Sequence, residues 1–279
     1  MIETGISTHA FAYNELTPEI IKLIAASGFE SVELYTHKPH FNFDDGAAVD
    51  SIAKSLRENG LKLNSIHCPF YRQIKEAKDG KWLNITSSSE ERRRESIDWT
   101  KRAIGLAEKI NFKYAVLHFG DITDQEFSRG LLEHGAESLR EIVNFASGVG
   151  VTLALENIPN AVSSCARLHE FMEEYGFSDD VAVCFDTGHA SMSGEIISGI
   201  ELFGKKIKTV HLHDTIKNTD EHLCPGEGIL DWREILSSLK VRDYRGRLIL
   251  ENKWGDSVEL TIEKAWKSAQ MLREIWTII

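Results

Sequence analysis

Short hydrophobic runs alternate along the chain with longer mixed stretches, and each run is too short to form a helix. A continuous run of Val, Ile and Leu of that length is typical of a strand buried on both faces, as in a parallel sheet covered by helices. The runs predict strands over residues 2–8, 29–35, 61–67, 113–119, 151–157, 181–186, 207–213 and 247–252. The stretches that follow them predict helices over residues 17–27, 47–59, 90–110, 128–148, 165–175, 194–203, 231–240 and 257–276.

Residues that start and stop helices support these boundaries. Thr17 followed by Pro18 is typical of a helix start, and Ser88 with Glu91 three residues later has the spacing of a capping box. A glycine at the end of a helix is typical of a left-handed cap that leads into the next strand. Helix-like segments end at Gly28, Gly60, Gly150 and Gly176.

The alternation favours one fold. Eight strand–helix pairs without a linker rich in Pro, Ser or Gly favour a closed (β/α)8 TIM barrel over an open, doubly wound sheet. A barrel of about 250 residues typically folds as one domain, so we expect a single α/β domain over residues 1–279. Its active site is expected at the C-terminal ends of the strands. The glycine-rich phosphate-binding patterns of dinucleotide sites and P-loops do not follow any predicted strand.

Six of the predicted strands stop on a residue that binds metals well. These residues are His67, His118, Glu156, Asp186, His211 and Glu251. The C-terminal ends of barrel strands converge on a single mouth, so residues far apart in the sequence can meet there around one metal cluster. The pattern therefore indicates a metalloenzyme.

The last four of these residues suit one cation. Glu156, Asp186, His211 and Glu251 come from four successive strands and supply three carboxylates and an imidazole. That donor set suits a divalent ion such as Zn, Mn, Co or Mg and leaves coordination positions for substrate oxygens. The alternative is that the carboxylates only cap helices or pair with Lys and Arg. Three unpaired buried carboxylates in one mouth would repel one another strongly, which favours the metal.

A second set of residues enlarges the candidate site. A lone histidine at a barrel rim is more often a hydrogen-bonding residue than a ligand, but several of them near one mouth favour ligation. Together with the first four residues they could hold one to three ions, with a carboxylate such as Glu156 bridging two of them. The second set is His67, His118, His189, Asp220 and His222.

The composition of the chain indicates which classes of binding partner and which cellular compartment to expect. A net charge of -11 and a pI near 5.5 argue against a sequence-independent nucleic-acid binder without excluding one, because bound cations add positive charge. The four cysteines have no CxxC spacing, which fits a reducing compartment without disulfides. We find no secretory signal, and no stretch nears the ~18 apolar residues of a membrane span. We expect a cytoplasmic protein, with no membrane partner and with a homo-oligomer left open.

Several segments at the ends of the predicted strands form a recognisable set. They are Leu-Ala-Leu-Glu-Asn (153–157), Phe-Asp-Thr-Gly-His-Ala (185–190), Val-His-Leu-His-Asp (210–214), Asp-Glu-His-Leu-Cys-Pro-Gly-Glu-Gly (220–228) and Asp231-Trp232. On these segments the chain is similar to the xylose isomerase-like TIM barrels, which include sugar-phosphate isomerases and epimerases as well as the apurinic endonuclease IV enzymes. The similarity extends from the strand of His67 to the strand of Glu251.

The epimerase-like members imply one set of roles. By resemblance, a catalytic cation lies on Glu156, Asp186, His211 and Glu251, and Glu156 and Glu251 exchange a proton with opposite sides of one substrate carbon. A cation on the substrate oxygens stabilises the enediolate that this step forms. Other residues are candidates for substrate binding, although rim packing or solvated charge explains each of the last four equally well. These candidates are His189, Lys217, Lys253, Trp254 and Trp232.

The endonuclease IV-like members imply a different reaction. Their ligand set for three metals matches all nine candidate positions, and such a cluster can generate hydroxide and cleave a phosphodiester of abasic DNA. The segment over residues 35–45 ends acidic and has no arginine, whereas a loop that probes DNA there should be basic. We therefore rank a metal-dependent isomerase or epimerase acting on a small polyhydroxylated substrate first and the zinc phosphodiesterase second. A barrel that binds a sugar or a metal without catalysis is the third alternative.

Overall fold

The eight predicted strands form one closed parallel barrel, in which each strand pairs with its neighbours in sequence and the last pairs with the first. The computed structural model describes residues 2–121, 124–216 and 219–279. The TIM-barrel prediction is confirmed. The strands are β1 Thr4–Ser7, β2 Ser31–Tyr35, β3 Lys62–His67, β4 Tyr114–His118, β5 Thr152–Glu156, β6 Ala182–Asp186, β7 Ile207–Leu212 and β8 Leu248–Leu250.

Helices follow the strands as the sequence predicted, and two short ones were not predicted. The unpredicted helices are α3 (Ile74–Lys78), in the loop after β3, and α7 (Thr187–Met192), directly after β6, and a 3-10 turn over Thr8–Phe11 follows β1. Within the described residues, none of the helices is long and apolar enough to cross a membrane. The helices are α1 Pro18–Ser27, α2 Gly46–Glu58, α3 Ile74–Lys78, α4 Glu90–Ile104, α5 Arg129–Gly148, α6 Cys165–Glu174, α7 Thr187–Met192, α8 Ile196–Phe203, α9 Trp232–Val241 and α10 Val258–Ile278.

The predicted start and stop residues bound four of these helices, α1, α2, α5 and α6. The Thr17 hydroxyl accepts a hydrogen bond from the Ile20 amide at the start of α1. All four predicted stop glycines have positive φ, for example +110° at Gly28. One predicted cap was wrong by one position, because α4 is capped by Ser89, whose hydroxyl accepts from the Arg92 amide, and not by Ser88.

The strand period explains why the candidate ligands point into the barrel. Side chains two residues apart on a strand share a face. Val116, Ala154 and Cys184 lie two residues before the last residues of β4, β5 and β6, and they belong to one buried apolar cluster. The register pairs His118 with Glu156 and Asp186 with His211 across neighbouring strands. The ligands therefore share the same side of the sheet and the same end of the barrel. Most of the remaining apolar core packs between the sheet and the helices.

Candidate metal centre

Four side chains converge on a central point at the C-terminal end of the barrel. Glu156, Asp186, His211 and Glu251 are buried, and each offers one ligand atom within 4.8 Å of the others. His211 Nδ1 lies 3.3 Å from Glu156 Oε1, 3.4 Å from Glu251 Oε2 and 3.9 Å from Asp186 Oδ2. Three carboxylates and one imidazole at this spacing can hold one divalent ion.

A second group surrounds the other oxygen of Glu156. Its Oε2 lies 3.3 Å from His67 Nε2 and 3.2 Å from His118 Nε2. The oxygen is buried, yet it has no hydrogen-bond partner in the described part of the chain. A buried oxygen between two imidazole nitrogens without a hydrogen bond costs free energy unless a cation pairs with it. The arrangement therefore fits a metal that Glu156 shares with the two histidines.

A third group of candidate ligands, called the outer group, adjoins the first two. His189, His213, Asp220 and His222 offer ligand atoms that are within 4.8 Å of one another. His222 Nε2 is 3.2 Å from Asp220 Oδ1, and His189 Nε2 is 3.5 Å from Asp220 Oδ2. All nine predicted ligands thus occur in three adjoining groups, together with His213, which was not predicted as a ligand.

Backbone carbonyls orient the rings of His67 and His222. His67 Nδ1 lies 3.0 Å from the Cys68 carbonyl, and His222 Nδ1 lies 2.9 Å from the Glu251 carbonyl. A carbonyl oxygen only accepts, so each Nδ1 carries the proton in the neutral ring and Nε2 is left with its lone pair. The Nε2 of His67 faces Glu156 and the Nε2 of His222 faces Asp220, so each ring presents a lone pair to a carboxylate group as metal binding requires.

The pKa values of Glu156 and Glu251 are shifted in opposite directions. Burial raises the pKa of the Glu156 carboxyl, but His211 and His118 outweigh it and hold that pKa well below its usual value. Burial raises the pKa of Glu251 above its usual value, and the charge of Glu156 adds to the rise against the opposing effect of His211 and His222. Two carboxyl groups with opposite shifts in one site are typical of acid–base pairs.

A cavity of about 420 Å³ opens onto these groups. This size suits a small-molecule site. One wall is formed by candidate ligands, including Glu156, His189 and Glu251, while Asp186 and His211 are buried beneath it. Apolar side chains also line the cavity. They include Phe70, Trp82, Ile158, Pro159 and Met192.

The predicted substrate-binding residues are placed differently from one another. His189 lines the cavity, but Lys253 and Trp254 are not among the residues that line it. The Lys253 side chain is exposed, and the Trp254 ring packs edge-on against Phe11 at 6.2 Å between centroids. Lys217 lies outside the described residues. Trp232 is also away from the cavity, because its buried indole N–H donates to Asp214 at 2.9 Å.

Sequence reasoning missed several polar residues at the site, and three of them contact candidate ligands. Glu33 is fully buried in the middle of β2, His213 follows β7, and His9 lines the cavity beside His222. A charged residue inside an apolar strand was the available signal for Glu33. For His213 the signal was its position two residues after His211, which puts both side chains on one face. No comparable pattern marks His9.

A sequence profile identifies the family. The profile described as xylose isomerase-like TIM barrel matches residues 21–275. The chain belongs to this family, as the resemblance of its motifs implied.

Relatives and solved structures agree with that assignment. Fructoselysine 3-epimerase of Shigella flexneri is 25% identical over 80% of this chain and 80% of its own length. A D-tagatose 3-epimerase-like protein superposes with a TM-score of 0.82 at 26% identity, over 99% of this chain and 98% of that one. IolI protein, solved with a binding zinc atom, superposes with a TM-score of 0.80 over 99% of each chain, and at 17% identity it shows the fold alone. The relatives include sugar epimerases, which supports an enzyme that acts on sugars.

Proposed function

We propose that the protein is a divalent-metal-dependent isomerase or epimerase of a sugar or sugar phosphate, with Glu156 and Glu251 as the proton-transfer groups. The observation that carries the proposal is that Glu156 and Glu251 approach the same nitrogen, His211 Nδ1, at 3.3 and 3.4 Å while both also line the cavity. Both carboxylates therefore face one small volume in which a substrate carbon can lie between them.

In this proposal different residues transfer protons, bind the metal and orient the substrate. One glutamate removes the proton next to the substrate carbonyl, and the other returns a proton to the opposite side of the intermediate. A bound divalent ion supplies Lewis acidity that stabilises the negative charge of the enediolate. Glu156, Asp186, His211 and Glu251 would hold it. His189 is held by its Nδ1, 3.0 Å from the Asn157 carbonyl, so that its Nε2 can orient a substrate oxygen.

The metal itself belongs to the proposal. The donor set of carboxylates and imidazoles suits Zn, Mn, Co or Mg, and the three adjoining groups of ligands have room for one to three ions. IolI protein, which shares the fold, was solved with a binding zinc atom, and this supports a bound metal in the present chain. We further propose that the chain forms one domain and works in the cytoplasm.

Hydrolysis of abasic DNA is the second candidate, and the outer group of His189, Asp220 and His222 favours it because a phosphodiesterase with three metals needs those ligands. The loop after β2 supports the sugar reaction instead. Its Lys38 is paired with Asp44 at 2.8 Å, and its His37 is buried. A loop whose cation is already paired has little charge to offer a phosphate backbone.

A metal-exchange assay separates these candidates. The protein is stripped with a chelator, reloaded with Zn, Mn, Co or Mg, and assayed on a ketose library and on an abasic-site duplex at low salt. We expect metal-restored interconversion of a ketose and no strand cleavage. Metal-restored cleavage without action on any ketose would replace the isomerase by the phosphodiesterase, and tight sugar binding without turnover would favour the non-catalytic barrel.

A further inference from the structure

A fourth buried carboxylate lies beneath the candidate metal centre. Glu33 is fully buried on β2 and is not one of the nine predicted ligands. It accepts hydrogen bonds from the Ser65 hydroxyl at 2.7 Å and the Ser7 hydroxyl at 3.0 Å. Its third neighbour is His211, whose Nε2 lies 3.0 Å from Glu33 Oε1 and 3.2 Å from Oε2. Each of these contacts of Glu33 is therefore to a group that can donate.

His211 is turned the opposite way from His67 and His222. Those two rings use Nδ1 for a backbone carbonyl and present Nε2 to the carboxylates. His211 presents Nδ1 to Glu156, at 3.3 Å, and uses Nε2 for a side-chain carboxylate. A carboxylate at Nε2 requires that nitrogen to carry the proton, which leaves the lone pair of a neutral ring on Nδ1.

We propose that Glu33 is a positioning residue that fixes His211 as the Nε2–H tautomer, so that Nδ1 is its metal-binding atom, and that the negative charge of Glu33 strengthens this ligand. The inference rests on the metal-binding part of the proposed function and not on the identity of the substrate. A carboxylate behind a ligating histidine orients the ring and raises its basicity, and loss of such a partner typically weakens metal binding about 10- to 100-fold.

The surroundings of Glu33 keep its charge in place. The Ser65 hydroxyl, the Ser7 hydroxyl and the His211 Nε2–H all lie within hydrogen-bonding distance of its two oxygens, and donors to a buried carboxylate favour its charged form. The Ser65 hydroxyl oxygen in turn accepts a hydrogen bond from the Asn64 side-chain amide, Nδ2, at 3.1 Å, and this bond orients Ser65. Glu33 is thus an ionised acceptor in a fixed position.

The first test uses Glu33→Gln with Ser65→Ala as the matched control. Glutamine keeps the shape and an acceptor oxygen but removes the charge, whereas Ser65→Ala removes one hydroxyl from Glu33 and leaves its contact with His211. Affinity for Co(II) and Zn(II) is measured by competition with a chromophoric chelator, and the visible spectrum of the Co(II) protein is recorded. Thermal unfolding of each metal-free variant checks that it is folded.

We expect Glu33→Gln to weaken metal binding about 10- to 100-fold and to change the Co(II) spectrum, with Ser65→Ala within a few-fold of wild type. A merely structural role would lower the melting temperature without changing affinity in the folded protein. Wild-type affinity and an unchanged Co(II) spectrum in folded Glu33→Gln would overturn the proposal.

The second test needs no variant and no substrate. The wild-type protein is labelled with 15N-histidine and loaded with 113Cd, and the nitrogen coupled to the metal is identified by NMR. We expect cadmium to couple to Nδ1 of His211, with a proton on its Nε2. In His67 or His222 we expect cadmium to couple to Nε2 instead. Coupling through His211 Nε2, or no metal at His211, would overturn the proposal. Failure to act on sugars would refute the proposed reaction alone, because neither test measures turnover.

Discussion

His213 Nε2 lies 3.1 Å from both carboxylate oxygens of Asp186. Both residues are completely buried, and the other ring nitrogen of His213 has no hydrogen-bond partner within the described residues. The contact fixes the orientation of Asp186, one of the four carboxylate and imidazole groups at the centre. His213 itself is held by close packing, because the first turn of α7 passes directly over its ring.

Gly188→Ala tests that packing. A Cβ at Gly188 would collide with the His213 ring, so the ring has to move and the contact with Asp186 is lost. We expect a loss of about 1–3 kcal/mol in the free energy of unfolding, together with weaker metal binding. Gly148→Ala is the control, because an added Cβ in that helix has nothing within 4 Å. Urea unfolding measures both, and a Gly188→Ala protein as stable as wild type would contradict the packing argument.

The outer ligands separate the two reactions. Asp220 and His222 belong to the outer group and are not among the four inner candidate ligands Glu156, Asp186, His211 and Glu251, although His222 Nδ1 lies 2.9 Å from the Glu251 carbonyl. An isomerase that works at the inner centre should keep measurable proton exchange in His222→Ala and in Asp220→Ala. A phosphodiesterase with three metals should lose its activity in both. Complete loss of ketose turnover in either variant would show that the outer group takes part in the sugar reaction.

His40 gives a prediction for acid stability. Burial lowers the pKa of His40 to about 4, although its Nδ1 is 2.6 Å from the Asn14 carbonyl. The unfolded chain has an ordinary histidine pKa of about 6.5. Between these values the unfolded state binds more protons, so stability falls as the pH falls, by up to about 1.4 kcal/mol per pH unit from this residue.

The matching variant is His40→Asn. Its unfolding free energy, measured by urea titration between pH 7 and pH 4, should fall less steeply with acidification than that of wild type. The comparison uses the slope and not the absolute stability, because the variant also leaves a small cavity. Parallel curves would mean that His40 is protonated equally easily in the folded and unfolded protein.

The barrel and the convergence of its candidate ligands could be predicted because they depend on short-range patterns. Each strand is a compact apolar run, and the period of two fixes which side of it faces inward, so a ligand at a strand end has a known direction. The sequence alone therefore predicts that residues such as Glu156 and Asp186, at the ends of neighbouring strands, lie close together.

Other features depend on contacts that the sequence does not encode locally. Ser88 and Ser89 are adjacent serines, and only the path of the chain decides which one caps α4. Lys253 and Trp254 follow β8 closely, but their side chains do not line the cavity. The backbone of this loop is held by the Lys253 amide, which donates a hydrogen bond to the His222 carbonyl at 2.8 Å. Short helices such as α7 are too brief to leave a periodic pattern.

The two glutamates provide the strongest prediction on activity. Glu156→Gln and Glu251→Gln each remove a metal charge and a proton-transfer group while keeping the side-chain shape. We expect the fold to survive and turnover to fall at least ~10²-fold in each, the lower end of what a positioned acid or base contributes. Circular dichroism checks the fold, and steady-state kinetics on the ketose that the library assay identifies checks the turnover. Near wild-type turnover in either variant would rule out proton transfer between these residues.

Solvent deuterium uptake tests the central claim most directly. The metal-loaded wild-type protein is incubated with candidate ketoses, with and without a phosphate, in deuterated water, and the carbons next to the carbonyl are examined by NMR. Proton transfer through Glu156 and Glu251 predicts metal-dependent incorporation of deuterium at one of these carbons, which disappears in Glu156→Gln and in Glu251→Gln. Metal-dependent nicking of an abasic-site duplex, with no deuterium in any ketose, would contradict the account.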